Sequence, residues 1–141
     1  MNQIKLIRKQ LSSCIVYIFV LSCIIPKYSC SQTKSDGAAL DGKNFTVTTM
    51  EKDKPETGVK ENITFAEGYF DNEQCHEWGF TKGKYTSKKS GEDLVSFEAT
   101  TESPAEGKME WTGTVDHGKL KGDMVWKKQG QGDMYYTFAS E

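Results

Sequence analysis

From residue 44 onward, hydrophobic and polar residues alternate one by one. Clusters of glycine, proline and acidic residues break the alternation at short intervals. A period of two marks a strand with one buried face, and frequent turn signals join such strands into an antiparallel sheet. In "NFTVTTME", Phe45, Val47 and Thr49 share a face; in "VKENITFAEG", Val59, Ile63 and Phe65 do, with Glu61 as a charged intruder in the same row. "YFDN", "GKYTSKK" and "LVSFEATTE" are shorter or weaker candidates, the last with Val95, Phe97 and Ala99 inward. The last third is clearest. "GKMEWTGTVD" turns Met109, Trp111, Gly113 and Val115 to one side, "KLKGDMVWKK" turns Leu120, Gly122, Met124 and Trp126, and "MYYTFAS" turns Met134, Tyr136 and Phe138. Glycine at inward positions suits a tightly bent sheet. The segments predict an all-β fold, an antiparallel up-and-down meander of about eight strands that closes or nearly closes into a barrel.

One stretch departs from the alternation. "DNEQCHEWGF" (residues 71–80) opens on the capping residues Asp71 and Asn72 and ends on Gly79, a natural helix terminator, which predicts one short helix near residues 73–78. On it Cys75 and Trp78, three apart, share one face, while Glu73, His76 and Glu77 share another. Cys75 is therefore expected as a structural thiol packed beside Trp78, the pair plugging one end of the barrel with Phe80. Cys75 and His76 project about 100° apart on a helix and make poor joint ligands. The other histidine, His117, sits in a separate "DHG" turn. No metal site and no cofactor is expected.

The first 31 residues are of another kind. Lys5, Arg8 and Lys9 precede the uncharged "LSSCIVYIFVLSCII", and Pro26, Lys27 and "YSCSQ" come after it. A basic start, an apolar run too short to span a bilayer and small residues after it predict an export signal of lipoprotein type. "KYSC" offers Cys30 as the lipidated residue and "VLSC" offers Cys23, with Cys30 favoured; cleavage after Ser31 is the alternative. Residues 32–42, "QTKSDGAALDG", read as a flexible tether and residues 43–141 as a single β-meander domain. These features predict a protein exported to the bacterial cell envelope, periplasm or surface, and held to a membrane by an N-terminal lipid.

Charge narrows the partners. Of 18 basic residues, four lie in the leader, which leaves 14 against 20 acidic residues beyond it, every one of the 14 a lysine. An acidic domain without arginine is not expected to bind nucleic acid.

The stretches "LDGKNFTVTTMEK", "ITFAEGYFDNEQCHEWGF", "SFEATTESPAEGKMEWTGTV" and "KLKGDMVWKKQGQGDMYYTF" resemble a family of short, exported, functionally uncharacterised bacterial proteins with a lipocalin-like β-meander. The resemblance runs over nearly all of the chain after residue 37. Its recurring pieces are a C-x-x-aromatic-G-F stretch, an S-P-x-E-G turn and an aromatic-G-T-V strand before a G-x-x-V-W strand. It implies no catalytic residues.

No nucleophile elbow, zinc-protease helix or phosphate loop is present, and both histidines lie at turns, so no enzyme is expected. The expected role is non-catalytic binding of a small apolar ligand or of an envelope component. Phe97, Trp111, Met124, Trp126, Tyr136 and Phe138 would line the cavity if the barrel is hollow. If they fill it instead, the module would dock partners or act as an inhibitor through its loops.

Overall fold

The computed structural model of the chain describes residues 37–141. The export signal, with Cys23 and Cys30, and the first half of the expected tether lie outside the described residues. Eight strands succeed one another: β1 (Lys43–Glu51), β2 (Val59–Ala66), β3 (Tyr69–Asn72), β4 (Gly83–Lys89), β5 (Leu94–Ser103), β6 (Gly107–Asp116), β7 (Lys119–Lys127) and β8 (Met134–Ser140). Each pairs antiparallel with the next, and β1 pairs with β8, so the meander closes into a barrel. Short 3-10 turns at Pro55–Thr57 and Glu73–Trp78 are the helical elements.

Tight turns explain why neighbouring strands pair in this order. β2–β3 and β6–β7 are joined by two residues each, Glu67-Gly68 and His117-Gly118, all at positive φ (54° and 78°, 48° and 77°). That conformation matches the right-handed twist of a hairpin, and glycine in the second position takes it without strain. The alternation of the sequence then sets which side chains enter the lumen.

Strand direction gives the barrel two distinct ends. One, the strap end, holds the turns at 67–68, 90–93 and 117–118 together with residues 37–42. The other, the rim, holds the loops at 52–58, 73–82, 104–106 and 128–133.

The strap corrects the tether expected at residues 32–42. Its described part, residues 37–42, is a folded turn with Leu40 only 2% exposed. Leu40 N–H donates to the Tyr85 hydroxyl (3.1 Å), which donates in turn to Asp41 Oδ1 (2.8 Å). Gly68 N–H donates to the same carboxylate, and Ala39 N–H to Ser87 Oγ (3.0 Å). The cause is the open barrel end: without Leu40, the aromatic core beneath would face water. Burial and the bond to Asp41 push the Tyr85 phenol up to about 12.

Gln32–Glu141 forms one compact unit. Its ladder closes within β1 to β8, and side chains outside the strands take up backbone donors at its margins, Gln74 Oε1 accepting from Asn62 N–H (2.7 Å) and Asp41 Oδ1 from Gly68 N–H (3.0 Å).

Candidate functional site

The six inward residues singled out in the sequence divide by depth. Phe97, Trp111, Met124 and Phe138 are at most 4% exposed, whereas Trp126 and Tyr136 are partly buried and sit toward the rim. Ring centroids of Phe65 and Phe97, and of Phe70 and Trp111, lie 4.9 Å apart, and those of Trp111 and Phe138 lie 5.6 Å apart. Aromatic rings thus meet from wall to wall. The Trp111 indole N–H donates to Thr101 Oγ1 (3.1 Å), which satisfies its buried polar atom. These residues are a packed core.

The rim is built around the stretch 71–80. Asn72 caps the 3-10 turn, its side-chain oxygen accepting from Gln74 N–H (3.1 Å). Its amide donates to Glu61 Oε2 (2.8 Å), which also accepts from Thr49 Oγ1 (2.7 Å). Glu61, the charged intruder of β2, therefore lies in the inward row and anchors the cap. Asp71 pairs with His76 Nε2 at 2.7 Å. Glu73, His76 and Glu77 are exposed.

Cys75 is 7% exposed, with Sγ 3.9 Å from Met109 Sδ. Burial, together with the charges of Glu61, Asp71 and Glu77, pushes its thiol up to about 12. A buried neutral thiol is a poor nucleophile. Trp78 differs from expectation: at 58% exposed it is not a buried plug of the barrel end. Gly79, at φ 77°, reverses the chain, and Phe80 N–H donates to Cys75 O (3.3 Å). That reversal sends Phe80 back into the barrel end, where it is 3% exposed. Trp78, two residues earlier on the turn, stays exposed.

Its backbone is nevertheless fixed. Trp78 O accepts from Ser103 Oγ (2.9 Å), and Glu106 N–H donates to the same hydroxyl (3.2 Å). Glu106 O accepts from the Trp126 indole N–H (2.7 Å), and Glu106 pairs with Lys128 at 2.6 Å. The β5–β6 turn therefore holds Trp78 on one side and Trp126 on the other. Val59, 56% exposed, ends an inward row at the same rim. The S-P-x-E-G turn contains both Ser103 and Glu106, but the sequence does not show that they bond Trp78 and Trp126, because these bonds join segments far apart in the chain.

At the strap end a hollow of about 590 Å³ opens beside Leu40, with Phe45, Val95 and Val115 on its floor and Lys43 and Lys89 at its edge. Nearby, His117 pairs with Asp116 (2.6 Å) and faces Asp93 (3.7 Å); the bond to Asp116 raises its pKa. Among the described residues no group of three or more His, Cys, Asp or Glu is placed to hold a metal ion.

No protein-family model, curated protein or solved structure matches the chain.

Proposed function

We propose that this chain is an exported, lipid-anchored, non-catalytic barrel of the bacterial cell envelope, and that it docks an envelope protein through its rim. The observation that carries docking is Trp78. An indole that is 58% exposed, on a turn tied to Glu61, Asp71 and Ser103, is an anchor prepared for a partner's pocket. Pre-ordering of this kind lowers the entropy lost on binding, and tryptophan is the residue type most enriched at binding hot spots. The packed lumen supports docking over carriage, since the six inward residues already occupy the space a carried ligand would need.

A benzophenone amino acid placed in cells at the exposed position 77, beside the intact indole, tests docking. A single discrete adduct, lost when Ser103 is changed to alanine, is the expected outcome; labelling that is diffuse and indifferent to Ser103→Ala would refute it. Intact mass of the envelope-extracted protein tests the address. A diacylglycerol on Cys30 or Cys23 is expected, and an unmodified mass starting at Gln32 would remove the lipid anchor.

Binding of a small apolar molecule is a second reading, favoured by the strap-end hollow with its Phe45, Val95 and Val115 floor. An apolar fluorescent probe titrated into Gln32–Glu141 discriminates the two: saturable binding lost in Phe45→Ser would favour the hollow.

A further inference from the structure

The outside of a small barrel is convex, yet one sector of this wall carries a groove of about 760 Å³. Its floor is the directly opposed pair Gly113 and Gly122 on β6 and β7. Only glycine fits there. A Cβ at 113 would come 2.6 Å from the Phe97 ring, and one at 122 would come 2.2 Å from Thr112 O and 2.5 Å from the Phe138 ring. With both side chains missing, the wall dips toward the lumen and leaves the hollow outside.

Strand register arranges the two banks. Lys88, Ser96, Thr114 and Lys121 face one another in one row across β4 to β7. Thr86, Glu98, Thr112, Asp123 and Thr137 form the other row, across β4 to β8. The glycine pair runs between them. One bank therefore carries two ammonium groups, the other two carboxylates, and hydroxyls stand between the charges on both.

Of these groups only the Ser96 hydroxyl is engaged among the described residues, donating to Lys88 O (3.3 Å). Elsewhere on the surface, Lys54, Lys60, Lys108, Lys127 and Lys128 all sit 2.6 Å from a carboxylate. Among the described residues, the side chains of Lys88, Lys121, Glu98 and Asp123 make no ion pair or hydrogen bond, and neither do those of Thr86, Thr112, Thr114 and Thr137. The register sets every one of these charges opposite a hydroxyl, so none can neutralise its cross-strand neighbour.

We propose that this groove binds a linear, hydroxyl-rich glycan laid across the strands from β4 to β8. Successive strands present a polar group about every 4.8 Å, close to the length of one pyranose unit. An unpaired carboxylate accepts from two vicinal hydroxyls at once, and lysine donates to hydroxyl or ring oxygens. The four charges cancel, which suits a neutral chain over a polyanion or a polycation. A protein partner is disfavoured, because the groove has no exposed aromatic or other large apolar anchor. A second hollow of about 430 Å³ shares Thr86, Glu98 and Thr112, so the track extends beyond the glycine pair. This site is separate from the rim and does not depend on docking there.

The barrel closes on itself, so the ¹⁵N-labelled fragment Gln32–Glu141 is the sample. Chitotetraose and cellotetraose are titrated as probes, monitored by amide shifts. The expected result is a saturable change centred on residues 96–98, 112–114 and 121–123, insensitive to added salt. Thr112→Val combined with Asp123→Asn should weaken it by about fivefold or more, with an unchanged melting curve. Silence from both sugars up to their solubility limit would overturn the proposal. So would shifts that map to the rim or the strap end, or a glycine–serine decapeptide that binds the same amides as tightly.

Discussion

Leu40→Ala separates a solvated tether from a structural strap. The substitution removes three carbons from a side chain that is 2% exposed. At about 0.8 kcal/mol per buried methylene, the transfer loss is about 2.4 kcal/mol. A fully enclosed site would add a cavity cost and raise the total toward about 5 kcal/mol. Here the neighbouring hollow of about 590 Å³ lets side chains and water relax into the gap, so the value should stay near the transfer loss. For a domain of this size, about 2.4 kcal/mol corresponds to roughly 10–20 °C in melting temperature. Urea unfolding of Gln32–Glu141, monitored by tryptophan fluorescence, measures it. Val59→Ala at the rim, where the side chain is 56% exposed, is the control and should fall within about 0.5 kcal/mol of the parent. Tyr85→Phe should interact with Leu40→Ala by more than about 0.5 kcal/mol, because the hydroxyl accepts from Leu40 N–H and donates to Asp41. A loss below about 1 kcal/mol for Leu40→Ala would refute the strap and restore the tether.

Gly122→Ala should lower stability by about 1–3 kcal/mol through overpacking against Thr112 O and the Phe138 ring, whereas Gly132→Ala, in open space without positive φ, should be nearly silent in the same urea assay. Cys75 in Gln32–Glu141 should resist iodoacetamide at pH 8 until urea unfolds the barrel, as mass spectrometry would show. Burial pushes its thiol up to about 12 from the ordinary 9.0, so its contribution to stability should be intact below pH 9 and fall away as pH rises toward 12; Cys75→Ala should flatten that decline. His117 should titrate above the ordinary histidine range by NMR and return toward it in Asp116→Asn.

Wherever one strand decides its own faces, the sequence was enough. The period-two rows placed Phe97, Trp111, Met124 and Phe138 inward, and the glycines at 113 and 122 marked the bend before any pairing was known. The capped turn at Glu73–Trp78 was legible from Asn72 and Gly79. Its facing was only half legible. Helical spacing governs residues inside the turn, whereas the left-handed Gly79 redirects the chain beyond it and buries Phe80 in place of Trp78. Leu40 was missed since it stands alone among small and polar neighbours, and one apolar residue has no period. The bonds from Glu61 to Thr49 and Asn72, and the groove's two charged banks, depend on which strand lies beside which. Alternation within a strand carries no information about that register.

The pairing of β1 with β8 has a consequence in time. Hairpins such as β5–β6 and β6–β7 start from pairs close in the chain, Ser103 with Gly107 and Asp116 with Lys119, and can form early, whereas the seam must bring Val47 to Ser140. Loop-closure entropy places that encounter late on the folding path. Until it occurs the sheet has two raw margins, each offering unpaired amides and carbonyls to another chain. Vulnerability to aggregation would therefore be confined to the interval before the seam zips shut. Substitutions in β1 or β8 that slow the zipping would lengthen that interval even where the finished barrel is just as stable.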